Sequence, residues 1–394
     1  MTRTWSLRET AVWRRAEAAM RKRWLEGAMI VLTGSLLFGY IPSAANWGAV
    51  VYAGSEQSAL TTAGQIQSKL TSAAKARLST TTFTYKGQTS KLRSLLSKAI
   101  TGALESDVYT KYITDSYSFS WRGTSASAVV TVRFVYRESA AQTKEVDSRV
   151  KQIVKSVIKP GMNDHQKVKA LHDWIVLHLK YDTTLRKYTA YEGLKTGEAV
   201  CQGYSLLAYK LLLEAKVPNL IVEGTAGGQL HAWNLLKLQG QWYHMDTTWD
   251  DPTPDKAGQV HYNYYLRTDK QMKRDHSWTR SYPGAGTDYK DTLQSLWKSA
   301  SGASKAAYES LQEDLGYSLY QTGAAVNTAE GLKAKVLEAI KQGKNTATLR
   351  YSGTEEQLTR DLTQLYDLDI RHITYYNEPL EGTSDLKVRV NWED

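Results

Sequence analysis

The chain has 394 residues, 42% hydrophobic and 23% charged, enough for two or three domains with packed cores and too apolar for a disordered chain. Its net charge of +10 comes from basic residues scattered among acids, with no block of one sign, which argues against nucleic acid as a partner. The single cysteine excludes an internal disulfide framework.

The amino terminus departs from this composition. A basic region (Arg14, Arg15, Arg21, Lys22, Arg23) precedes an apolar run at 27–41, with small residues at Ser43-Ala44-Ala45 and Val51-Tyr52-Ala53. That order reads as an export signal over residues 1–53, with cleavage leaving a start near Asn46 or Gly54. Left uncleaved, the uncharged stretch 27–54 is long enough to anchor the chain in a membrane, and it is the chain's one route there. Residues 1–53 carry +4, leaving +6 elsewhere, a mildly basic balance that suits an anionic cell-wall polymer. The expected location is therefore secreted, cell surface or cell wall.

An α+β module is expected over 54–140: a helix at 60–77, a strand at 80–86, a helix at 92–104, and strands at 117–122 and 128–137. Amphipathic helices follow at 145–158 and, capped by Asn163 or Asp164, at 165–179. They open a core domain spanning 145–283. Serine, glycine and alanine mark 284–310 as a linker, with one helical turn at 293–297. The last module, 311–394, repeats the αβαββ plan: helices at 329–341 and 355–368, strands at 346–351, 370–376 and 386–392.

The core's chemistry lies between Glu198 and Asp251. Cys201 stands where a glycine-containing loop turns into a helix at 205–215. A thiol there feels the positive end of the helix dipole, which favours its attacking anionic form. Three strand-like runs follow at 219–225, 231–238 and 241–248, the last two joined by a Gln239-Gly240 turn. Pairing Leu238 with Gln241 sets Asp246 diagonally from His231 on one face, about 7–8 Å between backbones. Cys201 as nucleophile, His231 as base and Asp246 as orienting group then match the activated-nucleophile pattern.

Gly197-Glu-Ala-Val-Cys-Gln-Gly-Tyr204, His231-Ala-Trp-Asn234 and Tyr243-His-Met-Asp-Thr-Thr-Trp-Asp-Asp-Pro252 together resemble the core of the transglutaminase-like superfamily, most of all its bacterial extracellular branch. The likeness runs from about Asp147 to Tyr282, through Tyr181-Asp182, 264–269 and Asp275-His276. It implies a papain-like α+β core with the cysteine helix packed on an antiparallel sheet, and a Cys201–His231–Asp246 triad. The expected partner is a protein or peptide substrate, and no cofactor is expected, since the sequence holds neither a metal-ligand pattern nor a glycine-rich phosphate loop before a helix. Crosslinking, peptidase and deamidase outcomes all occur in the superfamily, as do inactive members.

Around the triad, Gln202 and Tyr191 are candidates to stabilise an oxyanion beside the Cys201 backbone N–H, and Trp233 and Trp249 to wall the cleft or pack the core. Papain-like enzymes carry their hole-forming glutamine before the cysteine, where this chain has Lys195 and Thr196. His172 and His178 lie six residues apart, about 240° around a helix axis, so they share no metal-binding face. His244 shares a sheet face with His231 without a ligand pattern of its own. No metal site is expected. The leading reading is an exported thiol enzyme acting on amide or peptide bonds; its rival is a non-catalytic surface-binding module on the same core.

Overall fold

The computed structural model describes residues 59–251 and 260–393, so the export signal expected at 1–53 lies outside the described residues. The chain divides into two compact units, one ending at Thr287 and one running from Asp288 to Asp394. Both combine helices with small, mostly antiparallel sheets, an α+β arrangement. Among the described residues no helix is long and apolar enough to cross a membrane.

The first unit opens with a three-stranded module. Thr62 and Gln65 form a capping box ahead of α1 (Ala63–Lys75), whose Ile66, Leu70, Ala73 and Ala74 are buried at helical spacing. β1 (Thr80–Lys86) alternates exposed and buried, turning Thr81, Phe83 and Tyr85 inward. Then come α2 (Leu92–Glu105), α3 (Val108–Ile113), β2 (Thr114–Gly123) and β3 (Ser127–Tyr136), the sheet running β1-β3-β2. Sequence periodicity did not reveal α3. Its six residues are too few for a repeat, and it starts because the Asp107 carboxylate accepts from the Thr110 N–H. β2 accordingly begins at Thr114, three residues before the expected Tyr117.

The core domain follows. α4 (Ala140–Val157) starts five residues before the expected 145, because Ser139 and Gln142 close a capping box. α5 (Asp164–His178) is capped by Asn163. β4 (Lys180–Tyr181) pairs in parallel with β5 (Glu198–Ala199), and α6 (Ala190–Thr196) lies between them in the chain. α7 (Cys201–Glu214) begins at the cysteine itself, four residues ahead of expectation. It lies against an antiparallel sheet of β6 (Asn219–Ala226), β7 (Gln229–Leu238), β8 (Gln241–Met245) and β9 (His276–Ser277), ordered β8-β7-β6-β9. Leu206, Leu207, Leu211 and Leu212 of α7 are fully buried, each contributing about 1.5–3 kcal/mol of transfer free energy. Gly203 permits close packing at the start of α7, since a Cβ there would stand 2.6 Å from that of Ala199.

The second unit corrects one expectation. The stretch 284–310 is no linker: α8 (Asp269–Met272) closes the core, and α9 (Tyr289–Ser299) and α10 (Gly302–Asp314) then pack on each other. Their serine and alanine content masks a helical stripe of buried Tyr289, Leu293, Tyr308 and Leu311. β10 (Ala325–Val326), α11 (Ala329–Lys341), β11 (Thr346–Tyr351), α12 (Glu355–Thr363), β12 (Arg371–Pro379) and β13 (Leu386–Glu393) complete the unit. The helix expected at 355–368 passes into a 3-10 turn after Thr363.

The strand order β11-β13-β12 repeats β1-β3-β2. Corresponding residues of the opening elements lie 266 positions apart: N-caps Thr62 and Thr328, and parallel partners Leu60–Tyr85 and Val326–Tyr351.

Candidate active site

The hairpin β7–β8 sets the site. Gln239 and Gly240 both adopt positive φ (45° and 87°), as a two-residue turn of matching twist requires, and Leu238 pairs with Gln241. That register carries Asn234 opposite Met245, where β8 ends. The chain then turns, with the Asp250 N–H on the Asp246 carbonyl at 3.1 Å. Asp246 therefore reaches His231 from a turn beyond the strand and not from the strand face itself.

Asp246 is fully buried and all its acceptor capacity is used. Oδ1 accepts the N–H groups of Thr248 (3.0 Å) and Trp249 (3.2 Å). Oδ2 meets His231 Nε2 at 2.6 Å and His276 Nε2 at 3.0 Å. Burial alone would raise this carboxyl; the two histidines and their hydrogen bonds overcome it and hold the group well below the usual carboxylate range. His231 mirrors this. Burial pulls its pKa down, but the charge of Asp246, then that of Cys201, and hydrogen bonds to both push it up to about 10. With Nε2 held by Asp246, Nδ1 is left for the Cys201 side chain.

Cys201 occupies the first position of α7, the helix's positive end, and no side chain caps that terminus. Ser205 fixes it relative to the sheet: its hydroxyl lies 2.8 Å from the Cys201 carbonyl and 2.7 Å from that of Ala232, the neighbour of His231. Asn234 Nδ2 donates to the Ser205 carbonyl at 3.1 Å. The thiol borders a small cavity of about 20 Å³, lined also by Tyr112, Tyr188, Gln202, Glu223 and His231. A second cavity, about 250 Å³, opens on the His231 side between Glu223, Thr225, Ser277, Trp278 and Arg280.

The weaker candidates separate. Gln202 lines the thiol cavity, but its amide donates to the Tyr112 carbonyl at 2.8 Å, tying α3 to the start of α7. Tyr191 is not brought to the thiol; its hydroxyl accepts from Lys195 one turn along α6, at 2.9 Å. Near Cys201 stand instead Tyr112 and Tyr188, which line the cavity, and Tyr181, whose pKa burial and then the Cys201 charge raise. Trp233 is core: its indole donates to His244 Nδ1 at 2.9 Å while its ring backs His231 at 5.9 Å. Trp249 is half-buried, 6.1 Å from His231 and 4.7 Å from His276.

His276 is the residue that sequence reasoning left without a role. It is buried, with Nδ1 2.5 Å from Asp275 Oδ1, and Asp275 in turn accepts from the Tyr264 hydroxyl at 2.6 Å. The signal was present, since Asp275-His276 belongs to the motif likeness, but no local pattern joins it to Asp246. Ligand-type atoms of His231, Asp246 and His276 lie within 4.8 Å of one another. Each of the three already hydrogen-bonds another of them, so a metal ion would have to displace the contacts that hold His231 in place.

His172, which the sequence excluded from a metal site shared with His178, is a buried ion-pair member: its nitrogens face Asp173 Oδ1 (3.0 Å) and Asp250 Oδ2 (3.1 Å). His178 is exposed, with Nδ1 2.7 Å from the Trp174 carbonyl and its ring stacked on that indole. Asp251 ends the turn on the Tyr204 hydroxyl.

Residues 151–247 match the family described as "Transglutaminase-like superfamily". Over 178 residues the chain is 25% identical to the "Kyphoscoliosis peptidase" of Mus musculus, covering 39% of this chain and 27% of that protein. Its Homo sapiens counterpart is 23% identical over 155 residues, 34% of this chain and 23% of that protein. The chain thus spans about a quarter of the length of these curated relatives. Among solved structures, a chain described as a TGase aligns at a TM-score of 0.27 and 13% identity, covering 46% of this chain and 58% of that one. A candidate cysteine protease from Cytophaga hutchinsonii aligns at 0.25 and 12%, covering 43% and 79%.

Proposed function

We propose that the chain, whose residues 151–247 match the transglutaminase-like superfamily, is a thiol enzyme acting on amide or peptide bonds through an acyl-Cys201 intermediate. The observation that carries this is His231, its side chain 7% exposed and set between the only thiol in the chain and a fully buried carboxylate. In the first half-reaction the Cys201 sulfur, its proton passed to His231, attacks the carbonyl carbon. Collapse of the adduct breaks the C–N bond, and His231 returns the proton to the leaving amine. In the second half, water or an amine attacks the thioester, His231 taking its proton, and the thiol is restored. Asp246 keeps the imidazole oriented and stabilises its charged form, and His276 keeps Asp246 in place.

The cavity of about 250 Å³ beside His231 supports transfer to a side-chain-sized acceptor as well as to water. We also read the chain as exported, on the strength of its basic-then-apolar first 54 residues. One observation favours the rival, a non-catalytic binding module: the thiol cavity of about 20 Å³, lined in part by Tyr112, admits no peptide as it stands. Incubation with labelled amines and with casein-like peptides separates the two. Product that depends on Cys201 supports the enzyme; partner binding unchanged in Cys201→Ser, with no turnover in either protein, supports the binder.

A further inference from the structure

The basic excess of this chain is not evenly spread. Residues 59–137, the module of α1 to β3, hold eleven basic and three acidic residues, a net +8, while residues 138–394 together carry −1. All three acids are engaged: Glu105 with Arg280 at 3.3 Å, Asp115 with Arg137, and Asp107 in capping α3. They sit on α2's last turn, α3 and the start of β2.

The other end of the module is cationic without opposition. There Lys86 pairs with Ser127 across the sheet, the Thr89 N–H bonds the Ser125 carbonyl at 3.0 Å, and the Thr89 hydroxyl bonds the Thr124 carbonyl at 2.9 Å. These links bring the β1–α2 connection against the β2–β3 turn. Around them stand Lys86, Lys91, Arg93 and Arg122, all exposed and none in an ion pair among the described residues. Between them lies an open depression of about 780 Å³ lined by the side chains of Gln88, Thr89, Ser90 and Ser125 and by Gly87 and Ala126. Beside Arg122, on edge strand β2, Trp121 is 36% exposed and stacks on Phe119 with ring centres 6.2 Å apart.

We infer that this end of the amino-terminal module is a docking surface for an anionic, polyhydroxylated polymer of the cell-wall type. Unopposed cations supply attraction and fast encounter. Hydroxyl and amide groups in the depression offer hydrogen bonds to the polymer's own hydroxyls, and the exposed indole offers a flat face for its ring or chain carbons. The depression itself is lined mostly by polar residues, which suits a hydroxylated polymer better than the acyl interior of a membrane surface. Clustering matters because charges screen one another beyond about 8 Å at physiological salt. The inference stands apart from the catalytic reading and survives if that reading fails.

The test uses the full chain, with poly(glycerol phosphate) and polygalacturonate as anionic probes, dextran as the neutral one, and duplex DNA and phosphatidylglycerol vesicles as competitors. Expected is binding to one or both anionic polymers, weakening steeply with salt, and none to dextran. Binding to one alone identifies phosphate or carboxylate as the recognised group. Lys86→Glu with Lys91→Glu and Arg122→Glu should weaken binding at least about tenfold at moderate salt. The matched change in the other module, Lys335→Glu with Lys341→Glu and Lys344→Glu, should weaken it far less. A milder Lys86→Gln, Lys91→Gln, Arg122→Gln variant repeats the comparison if charge reversal impairs folding. Equal losses from the two modules, no binding to either polymer, or tighter binding to DNA or vesicles would each overturn the inference.

Discussion

Two histidine–carboxylate pairs hang from a single turn of this core, four residues apart. Asp246 holds His231 and Asp250 holds His172. Both rings are buried; burial pulls each pKa down, and carboxylate partners push them up, to about 10 for His231 and about 9 for His172. What separates them is the second ring nitrogen. In His172 it faces another carboxylate, Asp173, with Tyr262 and Tyr265 packed around the ring. In His231 it is left for a thiol beside a cavity. A basic imidazole is therefore no mark of catalysis in itself; the group on its far side decides whether the pair does chemistry or holds the fold.

The comparison breaks most sharply at the thiol. Cys201→Ser should bring turnover below detection while leaving the melting temperature near wild type, and His231→Ala should lower kcat/KM about 10³–10⁴-fold. Next comes Asp246→Asn. An amide at this site has one acceptor oxygen where two imidazole donors and two backbone N–H groups now bond the carboxylate, so about a 10³-fold loss in kcat is expected. A loss under tenfold would show that Asp246 does not orient His231.

His172→Ala should instead act on stability, lowering the unfolding free energy by about 3–5 kcal/mol in urea titration because it takes the cationic partner from the buried Asp250 carboxylate. Its residual folded fraction should keep the wild-type KM; a selective fall in kcat at full folding would erase the distinction drawn between the two pairs. His276 lies between these extremes. His276→Ala should lower kcat about 10²-fold through a misplaced Asp246, with His276→Gln, which keeps an N–H donor, recovering part of it.

The smallest effect is a slope. His172 has a folded pKa raised above its ordinary value near 6.5, so its stabilisation is complete below about pH 6.5 and is lost as pH rises through about 9. The stability gap between wild type and His172→Ala should narrow over that window in thermal melts; a constant gap would mean the ring is not cationic in the folded state.

What the sequence made legible was local. Gln239-Gly240 set the hairpin register, and that register brought Asp246 to the end of the strand beside His231. Asn163 and the spacing of Val168, Leu171 and Ile175 gave α5. What it hid was long-range. Tyr112 reaches the thiol cavity from a six-residue helix in another module, and His276 meets Asp246 across 30 positions of chain. Neither contact leaves a periodic trace, because each rests on tertiary packing rather than on hydrogen bonding along one element. Tyr191 misled for the opposite reason: it sits near Cys201 in sequence, yet its helix gives its hydroxyl to Lys195.

The repeated strand order carries a hazard during synthesis. Two modules that ask for the same three-strand partnership, offset by 266 residues, can exchange strands while either is incomplete, the usual misassembly of repeated domains. The inward faces have diverged enough to penalise the exchange. β3 presents Val130, Val132 and Phe134 to β1's Phe83 and Tyr85, whereas β13 presents Val388, Val390 and Trp392 to β11's Leu349 and Tyr351. A swapped sheet would have to seat Trp392 where Phe134 fits, an overpacked core costing about 1–3 kcal/mol. Ribosomal order helps as well, since all three strands of the first sheet are made before β11 leaves the tunnel.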